Sequence, residues 1–572
     1  MVNITIDGKQ LQVPDNSTIL QAARNNGIPI PTLCFLKDIN EVGACRICVV
    51  EVKGMQRLVS SCNTKVREGM EISTRSEKVR TARRLNVELI LSQHNMNCPT
   101  CHRNGNCELQ KVCADLGVDY TSYPIQYRQH PWDNTFPLIR DETKCIRCMR
   151  CISVCDKVQG MRVWDLINTG KRTRVGMVQE NCTLCGQCIT HCPVSALRAR
   201  DDSEKVWQEL SDPEKIVIVQ IAPAVRTAWA EATGMPREEA TPLKLAAALR
   251  HIGFRYVFDT NFGADLTIME ESAELLHRLQ EPGRYQWPMY TSCCPGWVRY
   301  CKLDAPDMLP NLSTSKSPMA MFSAITKSYY AQLLQVPPEK IVNVAIMPCV
   351  AKKYECDVPE INSEPGLKDT DYVMTTRALA RMLHVANVDV ASLKPEPFDD
   401  PLSEGTGGAV IFGTTGGVME AAVRNAYFWV EGKKPDPDTF IQWTWRSNEK
   451  GTWRDCTTVL GGTPVRLAVT SGLANTRALV DAIRAGDVQY EFVEIMAAAA
   501  GSPSMPARNW PGNAANTCTS WTANRNCAFP ARTRISSSST RTFWASLCPK
   551  RRSITCTRTK ASGRYKVRAL RD

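Results

Sequence analysis

Two runs of four cysteines, each with the same spacing, constrain this chain more than any other feature. Two, two and three residues separate the members of each run, and a proline follows the second run. The runs are Cys145, Cys148, Cys151 and Cys155, and then Cys182, Cys185, Cys188 and Cys192. Thiolates at this spacing hold 4Fe-4S clusters, and a chance double occurrence is negligible. The sequence therefore predicts two such clusters between residues 145 and 192.

The double run resembles two-cluster ferredoxins, in which the fourth cysteine of each run binds the other cluster. That resemblance pairs Cys192 with the first three cysteines of the first run, and Cys155 with the first three of the second. Asp156 stands where the ferredoxin pattern often has proline, which alters the local turn but removes no ligand.

The total number of cysteines bears on the cellular compartment, because the 572 residues include 26. In a long chain without a secretion signal, so many thiols favour metal ligation over disulfides. No apolar run approaches the roughly 20 residues that cross a bilayer. The N-terminus, MVNITIDGKQLQV, alternates like a strand and lacks the pattern of a signal peptide. We therefore expect a multidomain cytoplasmic protein with no membrane contact.

The net charge of +12 would suit a nucleic-acid partner if it were spread over a folded face. Residues 497–572, however, carry fourteen Lys and Arg against Asp572 alone, so the first 496 residues have a net charge of −1. The body of the chain is neutral, and no nucleic-acid partner is expected.

A third ligand set lies near the N-terminus, among short alternating strands and the helical stretch TILQAARNNG. It consists of Cys34, Cys45, Cys48 and Cys62, separated by ten, two and thirteen residues. This spacing resembles plant-type 2Fe-2S ferredoxins, which wrap a loop round the cluster. A zinc site built from two close pairs is the alternative, but Cys34 and Cys45 are not closely paired in sequence.

A fourth set follows an amphipathic helical run, VRTARRLNVELILSQH. It consists of His94, Cys98, Cys101 and Cys107, separated by three, two and five residues. One histidine and three cysteines also make an ordinary structural zinc site. Placed directly after a 2Fe-2S module, however, the set resembles the N-terminal region shared by hydrogenases and the large electron-input subunit of complex I. That resemblance implies a third 4Fe-4S cluster.

From about residue 206 the sequence pattern changes to near-continuous apolar runs, typical of buried strands, that alternate with helical segments. The predicted strands include KIVIVQIAPAV, IVNVAIMP, GAVIFGTTGG and VRLAVTSG. Such runs are typical of α/β domains with parallel sheets, whose sites lie at the carboxyl ends of the strands. The glycine-rich segment lacks the third glycine of the dinucleotide fingerprint, since Val410 stands there, and is interpreted as a tight turn.

Two loops of this region read TSCCPGW and MPCVAKKYE, and they carry a specific resemblance to iron-only (FeFe) hydrogenases. The resemblance runs from residue 1 to about residue 496. It implies that Cys294 and Cys349 ligate the H-cluster, a 4Fe-4S cubane joined to a di-iron unit with CO, cyanide and a dithiolate. It also implies that Cys293 passes protons and that Lys352 faces a cyanide. Pro223, Met347 and Met496 would line the di-iron pocket, although such residues are more often simple packing.

A proton path is implied by the same resemblance. Glu271, Glu274 and Arg278 are spaced so that a helix stacks them on one face, from core to surface, and Ser313 would join the two glutamates. By themselves these residues would be an ordinary solvated helix face, and Cys293 is what favours the proton path.

The chain departs from the hydrogenase pattern after Met496. The family has two further ligating cysteines there, four apart, but this chain has Ala498 and Ser502. The tail that follows has no periodicity. We interpret it as a frameshift, because codons for a family-like ending, IQQLYEDFLGKPLS, can yield Ser536 to Cys548 when they are translated one base out of register. No cluster is expected on Cys518, Cys527, Cys548 or Cys556.

These observations predict a multidomain α+β and α/β protein. The expected modules are a β-grasp 2Fe-2S module at 1–78, a small 4Fe-4S module with one histidine and three cysteine ligands at 79–118, a double 4Fe-4S module at 119–205, a two-lobed α/β catalytic domain at 206–496 and an aberrant tail at 497–572.

The resemblance implies reversible reduction of protons to H2. Ferredoxin, an NAD(P)H-oxidising flavoprotein with 2Fe-2S subunits, and hydrogenase maturation proteins are the expected partners. A non-catalytic electron-transfer subunit or an iron–sulfur assembly protein is the alternative; a complex I type subunit would lack TSCCPGW.

Overall fold

The computed structural model describes residues 1–170, 173–403, 405–436 and 439–498, together with the strands 554–558 and 565–569. The chain divides into two compact units. The first contains Met1–Cys182 and Gly186–Arg200, and the second contains Thr183–Cys185 and Asp201–Asp572. The second cysteine run is therefore divided, because Cys185 belongs to the second unit.

The first unit begins with a five-stranded sheet packed on one helix. Its elements are β1 Val2–Ile6, β2 Lys9–Val13, α1 Ile19–Asn25, β3 Val49–Val52, β4 Val59–Ser60 and β5 Glu71–Ser73. The strand order is β2-β1-β5-β3-β4, with β1 antiparallel to β2 and parallel to β5. Thr18 and Gln21 form a capping box that begins α1, whose apolar face packs on the sheet. The strands and helix predicted for this segment are present.

Short elements make up the rest of the first unit, and loops carry most of its cysteines. The elements are α2 Glu77–Leu91, α3 Glu108–Leu116, β6 Leu138–Arg140, α4 Arg150–Ser153, β7 Trp164–Ile167, β8 Arg174–Met177, α5 Gln187–His191 and β9 Leu197–Ala199. Two antiparallel pairs, β6 with β9 and β7 with β8, flank the cysteine runs. Ser76 caps α2, which ends three residues before His94.

The second unit contains two sheets surrounded by helices. Its elements are α6 Ser203–Ser211, β10 Ile216–Ile221, α7 Val225–Thr233, α8 Pro242–Ile252, β11 Tyr256–Asp259, α9 Asn261–Gln280, β12 Met289–Tyr290, α10 Pro295–Asp304, α11 Pro318–Ile325, α12 Ala331–Leu334, β13 Ile341–Met347, α13 Ala351–Glu355, β14 Tyr372–Thr375, α14 Thr376–Val385, α15 Gly407–Ile411, α16 Gly417–Glu431, β15 Thr444–Ser447, β16 Thr452–Leu460, β17 Thr463–Ser471, α17 Leu473–Ala485 and β18 Phe492–Met496.

Parallel strands dominate both sheets. The first is fully parallel in the order β11-β10-β13-β14, and all seven residues of β13 are buried. The second has the order β12-β18-β17-β16-β15, in which β12, β18 and β17 are parallel and the hairpin edge is antiparallel. Burial on both faces explains the continuous apolar runs in the sequence. The predicted mixed α/β class with parallel sheets is confirmed.

One predicted strand is wrong. The segment GAVIFGTTGG does not join a sheet, because Gly407–Ile411 forms the helix α15. Thr406 caps it by accepting a hydrogen bond from the Ala409 N–H, and Asp265 in turn accepts from the Thr406 hydroxyl at 2.5 Å. The turn predicted next is present: Gly416 has φ +98° and leads into α16.

Two tail strands, β19 Ile554–Arg558 and β20 Tyr565–Ala569, pair antiparallel. Several positions of the tail lie outside the described residues: Ser502, Cys518, Cys527 and the proposed frameshifted segment Ser536 to Cys548. Among the residues that the structure describes, no helix is both long enough and apolar enough to span a bilayer.

Candidate functional site

The 2Fe-2S ligand set lies in the loops between α1 and β5. Cys34 and Cys45 interact directly with each other, and so do Cys48 and Cys62. These two pairs of thiols match the two irons of a 2Fe-2S cluster, because each iron needs two protein ligands. The interaction with Cys34 lowers the pKa of Cys45 to about 6, and the interaction with Cys62 lowers the pKa of Cys48 to about 7. Each pair therefore favours one thiolate, while the same interactions raise the pKa of the partner thiols Cys34 and Cys62.

His94 follows α2 with its imidazole 94% buried. Its Nδ1 lies 3.0 Å from the Lys144 carbonyl oxygen, and since a carbonyl only accepts, Nδ1 carries the proton and Nε2 keeps a lone pair. Burial, reinforced by the Lys144 charge, lowers the pKa of His94 to about 4, so the ring is neutral at pH 7. A neutral ring oriented by its other nitrogen is the form that binds a metal.

The three cysteines that accompany His94 lie in the loop before α3, whose N-cap is Cys107. The competing zinc site would hold four donors within about 2.3 Å of one centre. In the described parts of the chain, no three His, Cys, Asp or Glu side chains are arranged to hold one metal ion. The position of this set directly after the 2Fe-2S module is the reason to prefer a cluster over zinc.

Cys192 lies with the first cysteine run, as the ferredoxin resemblance implied. Cys145, Cys148, Cys151 and Cys192 line one cavity of about 310 Å³, whose remaining walls are apolar residues such as Val175 and Val194. Four thiols around an apolar cavity fit a 4Fe-4S cluster, because the cluster needs four anionic ligands and exclusion of water.

Cys155 lies with the second run within the first unit. Burial, with a smaller contribution from the nearby Cys182, raises the pKa of Cys155 to about 11, although hydrogen bonds from the backbone oppose the shift. Its sulfur accepts a hydrogen bond from the Val163 N–H at 3.3 Å. Cys182 and Cys188 are also buried, whereas Cys185 belongs to the second unit.

Arg150 connects the ligand loops of the first unit, and sequence reasoning missed it. Its guanidinium is 95% buried, forms two hydrogen bonds of 2.7 and 2.8 Å with the Glu108 carboxylate next to Cys107, and donates to the Cys34 carbonyl oxygen at 3.3 Å. Asn40 reinforces the same junction by donating to the Cys34 and Cys148 carbonyl oxygens at 2.7 and 3.0 Å. No local pattern identifies such a residue, because its partners are 42 and 116 positions away.

In the second unit the two signature loops follow parallel strands. Cys293 and Cys294 follow β12, and Cys294 is the N-cap of α10. Cys349 follows β13, and burial together with the charge of Cys294 raises its pKa to about 11. The two predicted cluster ligands thus lie close together at the carboxyl ends of their strands.

The other predicted pocket residues also lie at strand ends. Pro223 follows β10, while Met347 and Met496 are the last residues of β13 and β18. Lys352 donates to the Cys293 carbonyl oxygen at 3.1 Å and pairs with Glu355 at 2.5 Å. Its ammonium is therefore held beside the cysteine pair.

The predicted proton-path residues are close together around α9. The Glu274 carboxylate accepts from the Ser313 hydroxyl at 3.1 Å and from Arg278 at 2.7 Å. Arg278 is not the surface end that the helical spacing predicts, since it is only 2% exposed and also donates to the Leu312 carbonyl oxygen. The exposed neighbour of Glu274 is Thr314, whose N–H and hydroxyl both bind the carboxylate.

Glu271 is the inner member of this set and is fully buried. Neither carboxyl oxygen has a hydrogen-bond partner of normal geometry, although Ser313 and the Ser292 N–H lie nearby. Burial, followed by repulsion from Glu274 and Glu494, raises the pKa of Glu271 to about 8. Burial and the Glu271 charge likewise raise the pKa of Cys293 well above its ordinary value. Both groups therefore carry a proton at pH 7.

Glu494 is a second buried carboxylate that sequence reasoning did not single out. It accepts from the N–H groups of Gly416 and Met419 at 2.6 and 2.9 Å, at the start of α16. Burial raises its pKa to about 7, even though these N–H groups oppose the shift. An acid in the middle of the apolar strand FVEIM is the signal that could have identified it.

The residues present do not supply every ligand that the resemblance implies for the H-cluster. The Ala497 N–H lies 3.4 Å from the Cys294 sulfur, so the chain after β18 reaches the predicted ligand loop. The next residue, Ala498, offers a methyl group where a thiolate is expected, and Ser502 lies outside the described residues. Cys294 and Cys349 therefore remain as predicted ligands, and Ala498 cannot serve as a third.

Four family models match the chain. The iron only hydrogenase large subunit, C-terminal domain, matches residues 215–501. A 2Fe-2S iron-sulfur cluster binding domain matches residues 1–77, the NADH-ubiquinone oxidoreductase-G iron-sulfur binding region matches 83–122, and a 4Fe-4S dicluster domain matches 144–196.

Curated relatives and solved structures agree with these models. The chain is 43% identical to the NADP-reducing hydrogenase subunit HndD of Solidesulfovibrio fructosivorans over 88% of this chain and 87% of HndD. It is 36% identical to iron hydrogenase 1 of Clostridium pasteurianum over 88% of each chain. A glutamate variant of the FeFe hydrogenase HydA1 from Chlamydomonas reinhardtii is similar with TM-score 0.50 and 35% identity, over 57% of this chain and 89% of that one. Together with the matched domains, these likenesses place the chain in the family of iron-only (FeFe) hydrogenase large subunits.

Proposed function

We propose that this chain moves single electrons through four iron–sulfur clusters of a hydrogenase subunit and, as written, produces little or no H2. The expectation of little or no H2 rests on Ala498. This residue follows Ala497, whose N–H contacts the Cys294 sulfur, and it stands at a position where the family has a ligand. The methyl side chain of alanine cannot replace the thiolate that the family supplies at this position.

Ligand geometry supports the electron path in the first unit. Paired thiols at Cys34 and Cys45, a neutral His94, and four cysteines around one cavity each suit their cluster. Iron–sulfur clusters supply one-electron steps at low potential. The protein fixes their positions through Arg150 and Asn40, which tie three of the ligand loops together.

Protons would move within the second unit along a separate route that its own side chains form. Cys293, Glu271, Ser313 and Glu274 form that route, and Arg278 fixes the Glu274 carboxylate. A buried acid with a pKa near 8 is protonated at neutral pH yet able to release its proton. In the intact family this supply serves 2H⁺ + 2e⁻ ⇌ H2.

The electron partner is a redox protein or subunit linked to NAD(P)H, or ferredoxin. The relative HndD is named as a subunit of an NADP-reducing hydrogenase, and it aligns with this chain over 87% of its length. We therefore propose an assembly with a flavoprotein that oxidises NAD(P)H and with 2Fe-2S subunits, and delivery of the active-site group by hydrogenase maturation proteins.

The test is anaerobic production of the full chain together with hydrogenase maturation proteins. We expect charge-transfer absorption from iron–sulfur clusters, no infrared bands of CO or cyanide, and no H2 from reduced methyl viologen. The matched control is the A498C/S502C variant of the same chain. Infrared bands and H2 evolution from the unchanged chain would contradict the proposal.

The origin of the altered ending is a separate question, answered by sequencing the gene across codons 490–572. A single-base insertion or deletion that restores a family-like ending is expected. An intact frame would instead favour a non-catalytic electron-transfer subunit, for which the missing ligand is the supporting observation. A purely structural cluster has no use for a proton-relay thiol such as Cys293, which is why that function ranks second.

A further inference from the structure

A cleft in the first unit brings four arginines together beside the first cysteine run. Cys145 forms part of the wall of this cleft. We call it the arginine cleft and define it by Arg128, Arg140, Arg147 and Arg174.

The four arginines come from separate segments that the fold brings together. Arg140 is the last residue of β6 and Arg174 the first of β8. Arg147 lies between Cys145 and Cys148, and its guanidinium donates to the Thr173 carbonyl oxygen at 3.1 Å. Arg128 lies on the exposed stretch before β6. A convergence from four segments is a property of the folded unit rather than of a local basic run.

No carboxylate of the described residues is paired with these arginines. Within the described ranges, none of the four arginines forms an ion pair, and Glu142 is the one acid among the residues that line the cleft. Glu142 is already bound by His130, whose Nδ1 lies 2.5 Å from its carboxylate. Four like charges around one cleft repel each other, so an anion placed between them is strongly favoured.

Arg140 provides a second, independent observation. It is 93% buried and lines the cleft, and its Nη2 has no hydrogen-bond partner. A buried guanidinium nitrogen left without an acceptor costs free energy, which a bound oxyanion would recover. The cleft adjoins the cluster cavity through Cys145 and Val175, which line both.

We propose that the arginine cleft binds a polyanion of the phosphate class, such as a diphosphate group, directly beside the first 4Fe-4S ligand set. Guanidinium groups match phosphate oxygens through paired hydrogen bonds, which suits them to phosphates better than a point charge would. This binding is independent of hydrogen chemistry and goes beyond the electron-transfer function.

The test is calorimetric titration of the full chain, with its clusters reconstituted, using inorganic pyrophosphate at fixed ionic strength. The R128Q/R174Q variant removes two charges on the accessible wall, and R67Q removes an exposed arginine elsewhere in the same unit as the matched control. R140Q addresses the buried position, with visible absorbance as the check that the clusters remain. Parallel titrations use ADP and citrate.

We expect one pyrophosphate per chain, binding at least about tenfold weaker in R128Q/R174Q and in cluster-loaded R140Q, and unchanged binding in R67Q. Equal affinity for ADP would identify the free anion as the ligand, and tighter ADP binding would identify a nucleotide; both support the cleft. Absence of pyrophosphate binding, equal affinity in R128Q/R174Q and the unchanged chain, or equal binding of citrate would overturn the proposal.

Discussion

At the scale of single residues, the second unit buries carboxyl groups that water would otherwise ionise. Glu271 is fully buried without a hydrogen-bond partner, and Glu494 is fully buried at the start of α16. Such surroundings raise the pKa of a carboxyl group because ionisation would leave a charge in a medium of low polarity. The free energy of unfolding therefore depends on pH through these groups.

Substitution E271Q should make the chain more stable at high pH, with no gain at low pH. The pKa of Glu271 is about 8 in the folded chain against 4.5 when exposed, so its stabilising effect is complete below pH 4.5 and disappears as the pH rises through 8. The amide of the glutamine variant does not ionise, so its free energy of unfolding does not fall through this position as the pH rises. At pH 9 the expected gain in unfolding free energy is roughly 4 kcal/mol. Thermal unfolding midpoints at pH 5, 7 and 9 measure it.

E360Q, at an exposed carboxylate, serves as the control and should leave the midpoint unchanged at each pH. Glu494 shifts in the same direction but is present in every protein compared, so its effect largely cancels. A midpoint difference between E271Q and the unchanged chain that is constant from pH 5 to 9 would show that Glu271 is ionised in the folded chain.

At the scale of elements, apolar periodicity predicted several helices and strands correctly. The runs that became β10, β13 and β17, and the helical spacing of α2 and α9, all gave the correct element. The run GAVIF was equally apolar but too short and glycine-rich to decide between strand and helix. Thr406 and Asp265, which fix it as α15, are 141 positions apart in sequence. Contacts of that range leave no local pattern, which is also why Arg150 was missed.

The same distinction separates the parts of the site that could be predicted from those that could not. The ligand cysteines were predicted from their spacing, and the proton-path residues were predicted from spacing together with family resemblance. The burial of Arg278 depends on the loop at Leu312 that folds over α9, and spacing along one helix does not reveal it.

Substitution G263A should weaken the packing of α9 on α11. A methyl group at this position would collide with the Pro318 carbonyl oxygen and approach the Phe322 Cβ to 3.1 Å. Because a backbone carbonyl yields little, the helices must separate, at an expected cost of about 2 kcal/mol. The matched control is G283A, where a methyl group meets no atom within 4 Å. Thermal unfolding of both variants measures the difference, and equal midpoints would show that α9 shifts freely.

At the scale of the whole molecule, the chain combines the predicted ligand sets of an iron–sulfur electron path with a hydrogenase domain in which one expected ligand position is alanine. The predicted ligands of the first unit come from distant loops, which Arg150 and Asn40 hold together. We therefore expect cluster incorporation to be coupled to folding of that unit, since each cluster would bridge separate loops.

Paired cysteine variants can establish which thiols share a cluster. One 2Fe-2S and three 4Fe-4S clusters correspond to about 14 iron atoms per chain. Because Cys192 lies in the cavity of Cys145, the C145A/C192A variant should lose one cluster and retain about 10 iron atoms. C145A/C155A removes a ligand from each of two clusters and should retain about 6. Iron analysis and electron paramagnetic resonance of the reduced proteins give both counts, and C113A, outside the ligand sets, should keep all of the roughly 14 iron atoms. The reverse order of the two double variants would mean that each cysteine run holds its own cluster, and the exchange of fourth ligands would then be wrong.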